Sequence, residues 1–246
     1  MIDIHCHILA GVDDGPDSWD ISEEMCRSAM ADGITHIVAT PHANERYVFD
    51  RQKLSHSLDH LRQRVGENPA LSLGCDFHLS YDNLQDELAH PSRYAIANTN
   101  YLLLELNDFS IPTQIANCFT QLGDRGIIPI ITHPERNPIL QKSPRRVLQW
   151  VEQGCAVQVT GGALTGEWGQ RAWTTAKWLL AHDAVHVLAT DAHDPVRRPP
   201  RLSRARDAVT ELCGGDVAKA LVEDNPAAIV DGKALPYFPK PANARQ

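Results

Sequence analysis

His5 and His7 stand one residue apart in the opening stretch MIDIHCH. On an extended chain, side chains two residues apart point to one face. The two imidazoles could therefore grip a single cation while Cys6 faces the other way. Similar residues recur downstream: the VDDG stretch at 12–15, His42 in ATPH, Asp76 in GCDFH, Glu105 in YLLLEL, His133 in THPER, and Asp191 with His193 in TDAH. Any one of them could be a satisfied core residue or a solvated loop residue. Their joint recurrence points to metal-supported chemistry. Glu105 lies in an apolar run, where an unpaired buried carboxylate would be very costly, so it is expected to face a cation or strong donors.

These residues fall at the ends of β-rich runs. Seven such runs are legible: IDIHCH, ITHIVAT, LSLGCDF, YLLLEL, IIPIIT, CAVQVT and VHVLAT. Stretches of helical spacing separate them. The clearest is SWDISEEMCRSAMADG, with Ser18 as cap, an inward stripe of Ile21, Met25, Cys26 and Ala29, and Gly33 as terminator. Others are expected at roughly 51–66, 112–125, 144–153, 170–182 and 201–213. Strands alternating with helices predict an α/β fold with parallel pairing. A doubly wound sheet and a closed barrel both fit. In a barrel all strand C-termini ring one mouth, so convergence of the polar residues favours the barrel.

The chain has 246 residues, enough for one large α/β domain or two small ones. No internal linker, repeat or low-complexity tract is legible, so a single domain over 1–234 is expected, with 235–246 (LPYFPKPANARQ) as a C-terminal tail. The formal net charge of -8 offers no basic field for nucleic acid, although one basic pocket could sit within an acidic whole. The six cysteines form no C-x-x-C pair and read as reduced thiols. Neither a long apolar span nor a basic-then-apolar leader is legible, which predicts a cytoplasmic protein without membrane insertion.

Taken together, MIDIHCHILAGVDDG, GITHIVATPH, RYAIANTNYLLLEL, GIIPIITHPERN, VHVLATDAHD and DNPAAIV resemble the bacterial metal-dependent protein-tyrosine phosphatases of capsule and exopolysaccharide operons. Those belong to the polymerase-and-histidinol-phosphatase (PHP) superfamily. The resemblance implies a distorted seven-stranded (β/α)7 barrel of PHP type, with three divalent ions, commonly manganese, at its mouth. Carried over by motif, His5, His7 and Asp191 would hold the first ion. Glu105 and His133 would hold the second, with Asp76 bridging the two. Asp14, His42 and His193 would hold the third; Asp13 neighbours Asp14, which the family pattern favours. Arg136 and Arg198 resemble arginines used against substrate phosphate, with Arg197 competing for the latter role. The resemblance further implies a phosphotyrosyl protein as partner, the tail of a tyrosine kinase controlling polysaccharide export, and allows self-association.

Two departures stand out. The family usually carries glutamate where Asp76 stands, and aspartate is one methylene shorter; His78 is a nearby substitute. In QVTGGALTG, glycines stand where relatives tend to carry hydroxyl residues.

The implied set joins five histidines to four carboxylates, which suits manganese, iron or zinc better than calcium. Three divalent ions against four carboxylates leave about two positive charges, a match for a phosphate monoester dianion. Attack by metal-bound hydroxide is expected. The leaving phenol has a pKa near ~10 and needs no dedicated acid. Thiol-based tyrosine phosphatases need an arginine six positions after the cysteine, and none of the six cysteines here has one. Two rivals remain: a small-molecule phosphomonoesterase of the histidinol-phosphatase kind, and a non-catalytic kinase-binding module.

Overall fold

The computed structural model describes residues 1–241. Nine strands run β1 (Ile2–Cys6), β2 (His36–Ala39), β3 (His42–Ala43), β4 (Ala70–Leu73), β5 (Asp76–His78), β6 (Tyr101–Glu105), β7 (Ile128–Thr132), β8 (Ala156–Thr160) and β9 (Val187–Ala189). They form a three-stranded sheet in the order β1-β2-β4 and a six-stranded sheet in the order β3-β5-β6-β7-β8-β9. Every pairing within both sheets is parallel. The architecture is α/β with parallel sheets, as the alternation of elements predicts.

All seven expected β-runs are strands, and two of them are broken. The second divides into β2 and β3 around Thr40 and Pro41, and the third into β4 and β5 around Gly74 and Cys75. Proline supplies no amide hydrogen, so a ladder cannot run through it unbroken. Backbone hydrogen bonds cross the breaks, from Gly74 N to Ala39 O (2.8 Å) and from Asp76 N to Pro41 O (3.2 Å). The ends of the strand order also meet. Cys6 forms a parallel bridge with Ala192, the Asp191 N–H donates to His5 O, and the His7 N–H donates to Ala192 O, both at 2.8 Å.

The helices are α1 (Trp19–Ala31), α2 (Arg51–Val65), α3 (Tyr81–Ala89), α4 (Ile115–Asp124), α5 (Pro138–Lys142), α6 (Arg145–Glu152), α7 (Gly161–Leu164), α8 (Gly169–Ala181), α9 (Ser203–Cys213), α10 (Gly215–Lys219) and α11 (Asn225–Val230). Ser18 caps α1, accepting from Ile21 N, and Met25, Cys26 and Ala29 are buried as expected. Asp32, just beyond α1, accepts from the Leu202 and Ser203 amides and so caps α9 from across the molecule. None of these helices is long and apolar enough to cross a membrane.

Apolar side chains form two layers. Leu102, Leu104, Val157, Val159 and Leu188 pack outward against the helices. Ile4, Val38, Tyr101, Leu103, Ile130, Ala156 and Val187 form a separate inner cluster. Alternation then directs Glu105 and Gln158 inward as well. On β1 the alternation slips: the register against β2 shifts between Asp3 and Cys6, so Ile4 joins the inner cluster and Cys6 the outer one. Of the expected tail, Tyr237 and Phe238 are not helical and pack on the core, while 242–246 lies outside the described residues.

His186, just before β9, is fully buried. Its Nδ1 accepts from Val157 N at 3.1 Å, and its ring lies 4.3 Å from that of Phe238. Burial pushes the imidazole down to about 4. The unfolded chain takes up this proton near pH ~6.5, the folded chain only near its depressed value. The group's contribution is therefore intact above pH ~6.5 and is lost as pH falls, by roughly 3 kcal/mol across the window. In urea titrations, His186→Asn is expected to lose less stability than wild type between pH 7 and pH 4.5. Equal losses in the two proteins would contradict this account.

Candidate metal centre

The nine residues expected as ligands meet at the C-terminal ends of the strands. The Nε2 atoms of His5 and His7 lie 3.3 Å apart, and each is 3.4 Å from Asp191 Oδ1. Asp76 Oδ2 is 3.5 Å from His5 Nε2 and 3.2 Å from His42 Nδ1. The missing methylene of Asp76 therefore does not keep it out of the centre. Asp14 Oδ1 lies 3.4 Å from His42 Nε2 and 3.3 Å from His193 Nε2. His133 Nε2 is 3.8 Å from Glu105 Oε1.

Four overlapping groups have donor atoms within 4.8 Å of one another: His7–Asp14–His42–His193, His5–His7–Asp76, His5–His133–Asp191 and His42–Asp76–Glu105. The family-derived trio of Asp14, His42 and His193 recurs inside the first, joined by His7. Glu105 groups with His42, and His133 with His5 and Asp191, rather than with each other.

Local backbone aims these side chains. His133 (φ 31°) and Asp191 (φ 51°) adopt left-handed conformations just after β7 and β9. Such conformations cost a non-glycine residue roughly 1–3 kcal/mol and persist only where surrounding contacts fix them. In VDDG, Gly15 is required by space: a Cβ there would meet the His7 carbonyl oxygen at 2.5 Å. With glycine, the loop closes onto β1, and Gly15 N donates to Asp13 Oδ1.

The imidazoles are held in defined tautomers. Asp13 Oδ2 accepts from His7 Nδ1 at 2.7 Å, Gln158 Oε1 from His5 Nδ1 at 3.0 Å, and the Asp191 carbonyl from His193 Nδ1 at 3.0 Å. A proton is held on each Nδ1, and each Nε2 turns inward, placed to bind a cation once any proton there is displaced. Asp13 and Asp14 thus divide the work: Asp14 faces two imidazole nitrogens directly, and Asp13 orients His7. Gln158 was missed in the sequence. Its signal was a lone amide at an inward position of an apolar run. His78 lies 3.3 Å from Glu105 Oε2 and outside all four groups.

Both carboxylate oxygens of Asp76 are buried without a hydrogen-bond partner, as is His42 Nδ1. Burial alone would raise the Asp76 carboxyl, but the positive potential of His5 and His42 holds it well below the usual range. Burial, with the Arg136 charge second, pushes His133 down to about 3, so it is a neutral imidazole with a free lone pair. Burial and then Asp76 raise Glu105. Glu105 is less enclosed than its apolar run suggests, because it ends β6 at the rim with 22% of its side chain exposed. Burial opposes protonation of these rings, but Asp76 and Asp191 raise His5, Asp13 and Asp191 raise His7 to about 9, and Asp14 and Asp76 raise His42 to about 11, so protons stand between nitrogen and carboxylate where no cation does. A divalent cation bound here would displace those protons. The mixed nitrogen and oxygen donors fit divalent transition metals.

The arginines sit beside this array. Arg198 Nη2 donates to Asp191 Oδ2 at 2.7 Å and to the Asp191 carbonyl at 2.9 Å, and Arg136 Nη1 also donates to Oδ2. Both guanidiniums lie on the Trp168 ring, at 3.8 Å for Arg136 and 5.1 Å for Arg198. Arg198 rather than the exposed Arg197 is the residue paired with Asp191.

Known proteins align with the whole chain. The tyrosine-protein phosphatase YwqE of Bacillus subtilis is 30% identical, over 100% of this chain and 98% of its own length. The tyrosine-protein phosphatase CpsB of Streptococcus pneumoniae is 28% identical, over 94% and 98% respectively. A crystal structure from work on these two proteins, described as unique metal-dependent tyrosine phosphatases, superposes with a TM-score of 0.91 at 29% identity, covering 98% of this chain and 99% of the other. A lactonase from Listeria monocytogenes, at 13% identity and a TM-score of 0.61 over 95% of each chain, shares the fold alone. The family described as Capsular polysaccharide synthesis, CpsB/CapC, matches residues 1–231, and the chain belongs to it.

Proposed function

We propose that this chain is a metal-dependent protein-tyrosine phosphatase whose 1–234 domain is a distorted seven-stranded barrel of PHP type. Counting β2 with β3 and β4 with β5 as single broken strands gives seven. The bonds between β1 and the segment after β9 bring the first and last together. The observation that carries the functional reading is Asp76: two buried oxygens with no hydrogen-bond partner, beside imidazoles whose ring nitrogens point at them.

Three divalent ions, manganese by resemblance, would be held by His5, His7, Asp14, His42, Asp76, Glu105, His133, Asp191 and His193. When bound, such ions supply positive charge to phosphoryl oxygens and acidify an attacking water. Arg136 and Arg198 are the catalytic cations of the chain itself: held by Asp191 and stacked on Trp168, they present donors to substrate phosphate. A phenolate leaving group needs no proton donor of its own. Gln158 and Asp13 keep protons on the outer nitrogens of His5 and His7, so the inner nitrogens are the ones aimed at a bound cation.

A polypeptide substrate is favoured over a small phosphate by the rim. Val48, Tyr81, Phe109 and Val196 each follow a strand C-terminus and are 76–93% exposed. Four apolar side chains around one mouth suit an extended segment of protein. By resemblance that segment is the tail of a bacterial tyrosine kinase. A non-catalytic module is disfavoured because every ligand position carries a capable donor. The six cysteines are free, in keeping with a reducing cytoplasm.

Purified protein reconstituted with manganese is expected to bind three ions and hydrolyse a phosphotyrosyl peptide, with turnover abolished by chelation. His5→Ala is expected to fold, as judged by thermal melting, and to lose at least about 100-fold in turnover. Wild-type turnover in that variant would refute the metal assignment. Gln158→Leu removes only the acceptor for His5 Nδ1. It is expected to weaken metal affinity by roughly 10–100-fold, with kcat largely regained at saturating manganese. Unchanged manganese titration curves would show that the amide plays no orienting part.

A further inference from the structure

The segment RRPPRLSRAR, residues 197–206, holds five arginines in ten positions, within a chain of net charge -8. The catalytic reading uses only Arg198. A cavity of about 610 Å³ lies beside the metal centre, and Trp168 and Arg198 line it on the side of Asp191. Arg197, Arg201 and Arg204 also line it, and all three are exposed. Glu167 is the acidic residue of that lining and lies 3.3 Å from Arg204. The outer wall therefore carries two guanidiniums in excess of its carboxylate. A volume of this order holds a drug-sized ligand, more than a phosphate group alone.

The shape of the cavity depends on glycine. A Cβ on Gly162 would lie 3.2 Å from the Trp168 indole and 2.8 Å from Glu167 Oε2. Bare backbone in QVTGGALTG lets the chain lie against the indole and leaves the space beyond Arg198 open. This glycine stretch is one of the two departures from the family pattern noted in the sequence, the other being Asp76.

We propose that Arg197, Arg201 and Arg204 form a subsite for acidic side chains flanking the phosphotyrosine, so that the preferred substrate is a phosphotyrosyl segment rich in aspartate or glutamate. This rests on the phosphatase reading, and it sets specificity rather than chemistry. The argument is charge complementarity and reach. The subsite adjoins Arg198, is too large for the reacting group alone, and concentrates cations on an otherwise acidic protein. Guanidiniums pair with carboxylates through two parallel hydrogen bonds, which fixes orientation as well as charge. Because these groups are solvated, each pair is modest in strength and screened by salt.

The test compares phosphotyrosyl peptides with glutamate, glutamine or lysine at the flanking positions on both sides of the phosphotyrosine. kcat/KM is measured on the manganese-loaded protein. Affinity is measured by fluorescence anisotropy with the corresponding non-hydrolysable phosphonate peptides. The glutamate peptide is expected to be favoured over the glutamine peptide by about three- to ten-fold at low salt, chiefly in KM. In Arg201→Gln/Arg204→Gln that ratio should approach one. In Arg201→Glu/Arg204→Glu the lysine peptide should overtake the glutamate peptide, a reversal that a merely structural role would not produce.

Turnover without flank preference in wild type would overturn the subsite and leave the phosphatase reading standing. No turnover, with the affinity preference intact and reversed by the charge swap, would sustain the subsite and sink the phosphatase reading. Tighter binding of a single-stranded oligonucleotide than of the glutamate peptide, lost in the same variants, would also overturn the assignment.

Discussion

The centre is organised around buried carboxylate charge that protons or cations must meet. Asp76 and Asp191 lie inside the mouth with the inner nitrogens of His5 and His7 directed at them, and neither oxygen of Asp76 has a hydrogen-bond partner. Burying a carboxylate without a partner costs several kcal/mol. Gln158 and Asp13 hold a proton on the outer nitrogen of His5 and His7, which turns each inner nitrogen toward the carboxylates. Against burial, Asp76 and Asp191 raise His5, and Asp13 and Asp191 raise His7 to about 9, so the inner nitrogens carry protons where no cation lies between. Protons or cations must meet the buried charge, and the other features of the site hold that arrangement in place.

The fold supplies the rigidity for this. Glu105 and Gln158 are carried on the inward side of strands whose outward side packs against helices, so neither can turn without disturbing the core. The breaks at Thr40–Pro41 and Gly74–Cys75 come immediately before His42 and Asp76. Ending a strand there and starting another in a shifted direction re-aims the side chain that follows. The left-handed residues His133 and Asp191 achieve the same at the ends of β7 and β9. Strain and broken pairing thus fall mostly at the mouth, while Tyr101, Leu103 and Ile130 of the inner apolar cluster lie on strands with unbroken register.

What could be read in advance follows from what is local. All seven strands were legible because their apolar residues cluster tightly between turn signals, and α1 because cap, stripe and terminator lie within one short segment. The helices α3, α5, α7, α10 and α11 were not among the expected elements. The shortest of them, α5, α7 and α10, span four or five residues, too few for a helical period to emerge. The strand breaks were invisible because a proline or glycine inside an apolar run does not say where pairing resumes. The nine residues of the centre were found by type and by resemblance. Their supporting partners were not, since the contact between His5 and Gln158 spans 153 positions and leaves no local mark. Glu105 was expected to be enclosed because its run is apolar. It is partly exposed, at 22% of its side chain, because it is the last residue of its strand.

Asp191 joins the two halves of the site. Its Oδ1 faces the imidazoles of His5 and His7, while its Oδ2 accepts from both Arg136 and Arg198. Two guanidiniums on one indole would repel each other without an anion between them. Their position therefore depends on the charge of Asp191, which burial would raise but which His5, Arg136, His7 and Arg198 together keep well below the usual carboxylate range. A carboxylate shared in this way couples the cation side to the anion side. Any group that drew Asp191 toward the imidazoles would loosen its hold on the arginines and leave their hydrogens free for an incoming anion. Any anion that took the arginines would return the Asp191 charge to the centre. Cation and phosphate would then stabilise each other through one side chain, without movement of the backbone.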